Sequence, residues 1–342
     1  MNLEKRIASF VELGTRLANF EEDEYLAEAA SLATVENPWF TADFVRYALW
    51  EWSRVLEPRA LTNWLMPYRD RIRNQDRPKT VAVVMAGNVP LAGFHDMLCV
   101  LLSGHRILAK PSSQDKRLAV AIGQALAAIA PEWAERIMFT EGRLGSFDSV
   151  IATGSDNTSR YFEYYFGRYP HIIRRNRNSA AILTGDETEY ELRELALDIF
   201  LYFGLGCRSV STLFLPQGFD LERFREPFSR FAPIINHNKY RNNVDYHKSV
   251  MLVNRTPFID GGFYLLVQSQ ALSSPVSVIH YEFYRHPDDV AEWINRERDN
   301  IQCVVGRPGV PGCTATPGTA QSPGLDEYAD NTDTLAFLTE KN

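Results

Sequence analysis

The sequence predicts an α/β protein built around a doubly wound parallel sheet. Residues 80–86 (TVAVVMA) form a β-branched apolar run, which is typical of a strand buried on both faces of a sheet. Strand-like and helix-like segments then alternate with short links as far as residue 183, as in a parallel sheet covered by helices. The chain of 342 residues is too long for one small core and suits two α/β domains.

A helical N-terminal region is predicted over residues 3–66. Leu3, Ile7, Phe10 and Leu17 recur at helical spacing, so we expect them on one buried helix face. The strands and helices of the sheet follow, and each is separated from the next by a few polar or Gly-containing residues. In chain order they are a strand at 80–86, a helix at 91–102, a strand at 105–109, a helix at 114–129, strands at 136–140 and 149–153, a helix at 157–166 and a strand at 179–183.

A second α/β region is predicted beyond residue 186. Its elements are a helix at 190–203, a strand at 211–215, a helix near 220–231, a strand near 277–283, a helix at 287–296, a strand near 301–305, a Pro- and Gly-rich loop at 307–323 and a terminal strand at 334–338. We therefore expect a cofactor-binding domain with the helical region at 1–185 and a catalytic domain at 186–330. The tail at 331–342 would lend a strand to a second copy in a homo-oligomer.

Composition argues against several classes of function. Lys and Arg number 36 and Asp and Glu number 43, so the net charge is −7, and the lack of a basic run argues against nucleic acid. The most apolar stretch, 81–102, is interrupted by polar residues and predicts no integral membrane segment. The N-terminus lacks a signal-peptide pattern, and the four cysteines lack zinc spacing. We expect a cytoplasmic protein with reduced thiols and no metal.

Two segments carry candidate catalytic residues. Cys207 follows a helix and two glycines, and a thiolate is a strong nucleophile toward thioesters and aldehydes. A lone cysteine, taken by itself, more often has a buried structural role, which we expect for Cys99 and Cys303. Asn88 lies in Gly-Asn-Val-Pro at the end of the first strand, where its amide would face the ligand crevice and stabilise an oxyanion. The same residue types also favour plain turns.

Two further segments carry candidate cofactor ligands. Lys110, Ser112 and Ser113 follow the second strand, where they would reach a ribose or phosphate or else form a solvated turn. Gly154 and Ser155 lie between a strand and a helix, where free N–H groups bind pyrophosphate, although Ser also favours the N-cap. No G-x-G-x-x-G fingerprint is present.

Taken together and in order, these segments resemble the aldehyde dehydrogenase superfamily. The similar stretches are VAVVMAGNVPL at 81–91, GHRILAKPSS at 104–113, VIATGS at 150–155 and FGLGCRSVSTLFLP at 203–216. Within the superfamily the chain resembles the LuxC-type acyl-CoA reductases, to which Ala-Gln-Ser-Pro at 320–323 and Tyr-Ala-Asp at 328–330 are also similar. The resemblance runs from about residue 80 to about residue 306.

The resemblance implies an aldehyde-dehydrogenase-like fold and an activity. It implies that Cys207 is the nucleophile and Asn88 an oxyanion donor, with Lys110, Ser112, Ser113, Gly154 and Ser155 around NADPH as the cofactor. The expected substrate is an acyl-CoA or acyl-carrier thioester, reduced to the aldehyde. An acyl-phosphate substrate is one alternative. Another is an inactive relative that binds a partner acyl-transfer or ligase protein through its helical region.

The sequence differs from oxidising members of the superfamily at three positions, and these differences bear on the activity that the resemblance implies. Near Arg174 the family has a Glu that activates water, so its absence favours reduction over hydrolysis of an acyl-enzyme. Ser113 stands where NAD-specific members often have a Glu, and a hydroxyl in place of that carboxylate favours NADPH. The family's downstream Glu for the nicotinamide ribose has no clear counterpart near residues 271–275.

Overall fold

A computed structural model describes residues 1–73 and 77–340 and divides them into two compact units. The first unit comprises Met1–Arg175 together with the chain from Gly324 onward, and the second comprises Asn176–Pro323. None of the described helices is both long and apolar enough to cross a bilayer.

Helices open the first unit, as the sequence predicts. They are α1 (Leu3–Ala18), α2 (Glu24–Glu36), α3 (Ala42–Val55), α4 (Pro58–Leu65) and α5 (Arg69–Arg73). The side chains of Asn2 and Asp23 cap α1 and α2 by accepting hydrogen bonds from backbone N–H groups of the first turn. The apolar face of α1 buries Phe10 and Leu13 completely, which fixes this helix on the core of the unit.

The first unit contains a five-stranded parallel sheet in the order β3-β2-β1-β4-β5. Its strands are β1 (Thr80–Val84), β2 (Arg106–Lys110), β3 (Ile137–Phe139), β4 (Ser149–Thr153) and β5 (His171–Arg174), and the helices that follow β1, β2 and β4 are α6 (Phe94–Ser103), α7 (Lys116–Ile129) and α8 (Asp156–Phe166). Strand order reverses direction between β1 and β4, so the switch point lies between these two strands.

The second unit contains a six-stranded sheet in the order β11-β6-β7-β10-β9-β8, parallel except for the β8–β9 pair. Its strands are β6 (Asn178–Ile182), β7 (Val210–Pro216), β8 (Ile259–Asp260), β9 (Leu265–Gln268), β10 (Val278–Tyr284) and β11 (Ile301–Gly306), and its helices are α9 (Glu189–Phe200), α10 (Arg225–Phe228), α11 (Asn238–Asn254) and α12 (Pro287–Glu297). The sequence did not predict α11, because only Tyr240 and Val244 of its 17 residues are buried and no apolar stripe marks it.

The structure corrects the predicted division of the chain. The strand predicted at 179–183 is β6, which pairs with β7 and β11 in the second sheet, whereas β5 completes the first sheet. Along the chain, the first unit therefore ends at Arg175 and the second begins at Asn176, ten residues before the predicted boundary at 185. The mistake arises because an alternating pattern of strands and helices does not say which sheet a strand joins.

The predicted terminal strand at 334–338 is wrong. These residues form helix α13 (Thr334–Thr339), which Asp333 caps by accepting a hydrogen bond from Ala336 N at 2.8 Å. Leu335 and Leu338 are buried in the core of the first unit. A strand lent to a second copy would have to remove both side chains from that core, so the tail is not an exchangeable strand. Residues 341 and 342 of the predicted tail lie outside the described residues.

Candidate functional site

The predicted site residues of the first unit all follow the carboxyl ends of three adjacent strands. Asn88 follows β1, the Lys110–Ser113 segment ends β2, and Gly154 and Ser155 follow β4. Parallel strands bring these ends to one edge of the sheet, and the switch point between β1 and β4 leaves a crevice there. The topology therefore gathers the predicted cofactor residues where open α/β sheets bind ligands.

Close packing joins the loop after β1 to the loop after β2. A Cβ on Gly87 would lie 2.5 Å from Ser112 Cβ, so only glycine permits this approach. Leu91 adopts a left-handed conformation with φ of 60°, and its N–H donates to Asp115 Oδ2 at 2.6 Å. Burial raises the pKa of Asp115 well above its usual range. Asp115 therefore fixes the loop that presents the exposed Asn88.

The second loop presents the predicted Lys and Ser residues in different ways. Lys110 is half-buried, and its Nζ donates to the Gly142 carbonyl at 2.9 Å, which extends the side chain along the sheet edge. Ser112 Oγ accepts a hydrogen bond from Gln114 N at 3.2 Å, so this hydroxyl shapes the turn. Ser113 is exposed at its tip. Ser113 is thus the hydroxyl of this loop that is open to a ligand.

The loop after β4 leads directly into the 11-residue helix α8. Ser155 is the N-cap residue, with Oγ accepting from Thr158 N at 3.3 Å. A Cβ on Gly154 would lie 2.9 Å from Phe162 and Thr158, so glycine allows the helix to start close to the strand. A helix N-terminus beside the switch point suits a pyrophosphate, and a dinucleotide fits the arrangement of these residues.

Arg174 occupies the position near which the sequence lacks the expected Glu. Its side chain is 2% exposed and forms an ion pair with Asp96 at 2.7 Å. It also donates to the Ala329 carbonyl at 2.7 Å and to Thr334 Oγ1 at 2.8 Å. Arg174 therefore anchors the C-terminal segment within the first unit, and as a buried, paired cation it cannot act as a base.

Cys207 differs from the other three cysteines in its exposure. It is exposed, whereas Cys99 and Cys303 are buried, as predicted, and Cys313 is partly buried. Burial raises the pKa of the Cys303 and Cys313 thiols to about 11 and that of Cys99 well above its usual range. A thiolate is the reactive form of cysteine, so these three thiols are poor nucleophiles at neutral pH. Cys207 remains as the accessible thiol.

The backbone before Cys207 is strained. Tyr202, Phe203 and Gly204 adopt consecutive left-handed conformations, with φ values of 54°, 57° and 73°. Such conformations of non-glycine residues are uncommon and persist only where surrounding contacts hold them. Here the Phe203 ring packs on His237 and Tyr240, with centroids 4.6 and 5.4 Å away. The strain is concentrated in the segment that delivers the exposed thiol.

Side chains from distant segments hold the turn that carries Cys207. Ser209 N donates to the Gly206 carbonyl at 3.0 Å, which closes a β-turn with Cys207 as its second residue. Ser179 Oγ donates to the Cys207 carbonyl at 3.0 Å, and Ser209 Oγ accepts from Gly206 N at 3.2 Å. The turn is thus fixed on both sides of the cysteine.

Further hydrogen bonds connect the Cys207 turn to the loop that ends at residue 323. Gln321 Nε2 donates to Ser209 Oγ at 3.1 Å. The loop itself is held by Asp198, whose carboxylate accepts from Gly318 N at 2.7 Å and Ala320 N at 3.0 Å. Burial raises the pKa of Asp198 to about 7. No sequence pattern marks Ser179, Ser209 or Asp198, because each acts through partners far along the chain.

Among the described residues no group of three or more His, Cys, Asp and Glu side chains is arranged to hold a metal ion.

His280 is the histidine of the second sheet, and its Nδ1 lies 2.9 Å from the Ala271 carbonyl. Its burial lowers the pKa of the ring below its usual range. His280 thus fixes the 271 loop, where the sequence shows no counterpart of the family's downstream Glu.

The sequence profile of the acyl-CoA reductase (LuxC) family matches residues 53–236, which is more than half of the chain. The chain belongs to the LuxC acyl-CoA reductase family. Membership makes it an oxidoreductase that acts on aldehyde or acyl groups. The matched range includes every predicted site residue from Asn88 to Cys207. No curated protein matches this LuxC family member in a sequence search.

Solved structures place this LuxC family member in the aldehyde dehydrogenase fold. Aldehyde dehydrogenase 21 of Physcomitrella patens, in complex with the product succinate, has 12% identity and a TM-score of 0.67, with 99% of this chain and 84% of that chain covered. An NADP-dependent enzyme of E. coli has 15% identity and a TM-score of 0.64, with coverages of 92% and 77%. Aldehyde dehydrogenase C of Pseudomonas syringae, complexed with NAD+ and octanal, has 12% identity and a TM-score of 0.64, with coverages of 90% and 73%.

Proposed function

We propose that this protein reduces an acyl thioester, carried by CoA or by a carrier protein, to the free aldehyde through an acyl group on Cys207. The observation that carries the proposal is the exposure of Cys207 on a turn that follows a strained segment and is held by Ser179 and Ser209. Nothing in the folding of this segment requires an exposed thiol at its tip, whereas covalent catalysis does.

In the first half-reaction, the Cys207 thiolate attacks the thioester carbonyl. A bond forms between Sγ and the carbonyl carbon, the carbon–sulfur bond to the carrier breaks, and the carrier thiolate leaves and takes up a proton. The Asn88 amide and the Cys207 backbone N–H are the donors assigned to the oxyanion of the tetrahedral intermediate. A thioester exchanges for another thioester, so this half-reaction is close to balanced in energy.

In the second half-reaction, the acyl carbon on Cys207 accepts a hydride and the resulting thiohemiacetal collapses to the aldehyde and the thiolate. NADPH, when bound, supplies that hydride. The N-terminus of α8 at Gly154 and Ser155 is assigned to its pyrophosphate, and Lys110, Ser112 and Ser113 to its adenosine ribose and 2′-phosphate. The exposed Ser113 hydroxyl bonds to a 2′-phosphate where a carboxylate would repel it, which favours NADPH over NADH.

Water competes with hydride for the acyl group, and the chain disfavours that competition. Oxidising relatives place a Glu near the position of Arg174 to activate water. Here the Arg174 guanidinium is buried against Asp96 and the C-terminal segment, so that position offers no base. An acyl-cysteine without a base beside it persists until hydride transfer, which supports reduction as the direction of the reaction.

Intact-protein mass spectrometry tests the proposal directly. The protein is mixed with acyl-CoAs of increasing chain length, with and without NADPH, beside Cys207→Ala and the control Cys313→Ala. We expect an acyl adduct on the wild type and the control, none on Cys207→Ala, and discharge of the adduct with aldehyde release when NADPH is added. An adduct on Cys207→Ala, or an adduct that persists with both NADPH and NADH, would overturn the proposal.

Parallel mixtures separate the finer assignments. Adducts from an acyl phosphate but from no thioester would replace the substrate class and leave Cys207 in its role. Faster discharge by NADH than by NADPH at equal concentration would remove Ser113 from the choice of cofactor. An absence of adducts with every donor, together with no quenching of NADPH fluorescence, would instead indicate an inactive scaffold.

A further inference from the structure

A cavity of about 280 Å³ lies in the first unit, away from the carboxyl edge of its sheet. Pro78, Gly104 and Arg136 line it, and these residues precede β1, β2 and β3 respectively. The cavity therefore lies at the amino edge of the sheet, whereas Asn88, Ser113 and Ser155 follow the carboxyl ends. Residues of the first turn of α1 form its other wall.

Arg6 supplies the strongest evidence that this cavity accommodates a ligand. The residue is 5% exposed, it lines the cavity, and its Nε has no hydrogen-bond partner among the residues that the structure describes. Burial and the neighbouring Arg136 lower its pKa to about 10. Buried charged groups in proteins are normally paired, so a buried arginine with no ion pair among the described residues indicates a binding site for an anion.

The charges around the cavity confirm the imbalance. Of the described residues, Arg6, Arg73 and Arg136 line it together with one carboxylate, that of Glu4. Glu4 is already engaged by Arg73 and lies 3.7 Å from Arg69, while Arg136 Nη1 donates to the Gly104 carbonyl at 2.8 Å. Among the side chains that the structure describes, three cations and one anion leave a formal charge of +2 on the lining, which a divalent anion would neutralise.

The start of α1 adds backbone donors to the same wall. Asn2 is the N-cap of this 16-residue helix, and Asn2, Leu3 and Glu4 line the cavity. The first N–H groups of a helix and its dipole favour a negative charge, and guanidinium groups bind phosphate oxygens in pairs. A tetrahedral dianion matches both the charge and the donors.

We propose that this cavity is a phosphate site, occupied by inorganic phosphate or by the phosphate of a small phosphomonoester, and separate from the sites assigned to cofactor and substrate. Arg6 binds the phosphate from the buried side, and Arg73 and Arg136 bind it from the rim. The ligand then supplies an anionic partner for Arg6 and ties the first turn of α1 to the amino edge of the sheet.

Calorimetric titration of the full chain with inorganic phosphate, at fixed ionic strength and with saturating NADPH present, tests this site. We expect binding by the wild type and a loss of affinity of about 10- to 100-fold in Arg6→Met, as when a charged hydrogen-bond donor is removed. Arg73→Met, whose side chain is 46% exposed and thus safe for folding, should lose affinity as well. The exposed control Arg46→Met should bind as the wild type does.

Thermal unfolding without phosphate gives a second measurement. If Arg6 served only the structure, its replacement would lower the unfolding temperature, whereas the proposal predicts no decrease. Arg6→Met should unfold at the same temperature as the wild type or higher, because it removes an unpaired buried charge, and phosphate should no longer raise that temperature. Equal phosphate binding by Arg6→Met and wild type, or binding that is seen in a parallel titration without NADPH but not with it, would overturn the proposal. These measurements need no turnover, so failure of the proposed reduction would not affect them.

A titration with glucose 6-phosphate distinguishes the two sources of phosphate. Tighter binding of the sugar phosphate than of inorganic phosphate would assign the site to phosphomonoesters, and the reverse order would assign it to free phosphate. If the protein binds neither inorganic phosphate nor glucose 6-phosphate, and Arg6→Met is less stable than wild type, then Arg6 is a structural residue and the proposal is wrong.

Discussion

The loop that carries Asn88 and the turn that carries Cys207 are positioned in different ways. The Asn88 loop follows a strand, and its supports, Ser112 and Asp115, come from the next strand–helix link about 25 residues away. The Cys207 turn is held by Ser179 from β6 and, through Ser209, by Gln321, more than 100 residues along the chain. One depends on local topology, and the other on side chains that only the complete second unit brings together.

This difference has a consequence for variants. A change of the Asn88 side chain should affect its chemistry and little else, because the loop geometry is set by the packing of Gly87 on Ser112 and by the Leu91–Asp115 hydrogen bond. A change in any support of the Cys207 turn should alter both stability and the reaction of the thiol, because the same hydrogen bonds serve both.

The largest effect is expected for Asn88→Ala. The side chain is exposed, so its removal leaves no cavity, and the free energy of unfolding should change by less than about 0.5 kcal/mol. Loss of one oxyanion donor lowers turnover by about 10²–10³-fold. Steady-state aldehyde production and urea unfolding of the same preparation check both parts. Unchanged turnover would remove Asn88 from the mechanism, and a large loss of stability would show that the Asn88 side chain itself supports its loop.

A smaller effect, and one that depends on pH, is expected for Asp198→Asn. The carboxyl is fully buried, and its pKa is raised by burial from 3.8 to about 7. Between these values the folded protein keeps a proton that the unfolded chain has lost, so the stabilising contribution of Asp198 falls as pH rises and is level above about 7. The slope contributed by one such group is up to about 1.4 kcal/mol per pH unit.

Urea unfolding of wild type and Asp198→Asn at several pH values between 5 and 8.5 measures that slope as a difference. The advantage of wild type over the variant should decrease from pH 5 to 7 and then stay constant, because Asn has no proton to lose. If the unfolding free energies of wild type and Asp198→Asn change with pH in the same way across this range, the hydrogen bonds from Gly318 and Ala320 offset the effect of burial on the pKa of Asp198.

The sequence was informative where function depends on contiguous residues. The strands, the carboxyl-edge loops and Cys207 are each read from a short segment, because strand ends and glycine-rich turns have local signatures. The sequence was not informative where the interacting residues lie far apart along the chain. Nothing in residues 178–182 indicates that this strand joins the second sheet, or that Ser179 supports the cysteine turn.

The C-terminal helix shows a different reason for failure. The short apolar run at 334–338 is compatible with either a strand or a helix, because it is too brief to reveal a period. The deciding signal is Asp333, an N-cap that accepts from Ala336 N. The residue that holds this segment in place is Arg174, and its role is not evident from the sequence, because an ion pair with Asp96 cannot be read from a sequence.

The smallest effect is expected for Ser179→Ala, and it tests the contrast between the two loops most directly. Ser179 is fully buried, and its Oγ donates to the Cys207 carbonyl and accepts from Cys303 N at 3.2 Å. Loss of the hydroxyl removes one hydrogen bond from each of these two buried backbone groups, which costs about 1–3 kcal/mol of unfolding free energy. The exposed Ser229, bonded only within its own helical turn, offers a control in which Ser→Ala should change stability by less than about 0.5 kcal/mol.

The rate of acyl adduct formation separates support of the turn from simple stabilisation. At a temperature where all variants are folded, Ser179→Ala should form the adduct several-fold more slowly than wild type, because the Cys207 carbonyl no longer fixes the turn. Ser229→Ala should match wild type in the same assay. If Ser179→Ala is destabilised yet forms the adduct at the wild-type rate, the hydrogen bond serves folding alone, and the cysteine turn is set by its strained backbone, as the Asn88 loop is set by its packing.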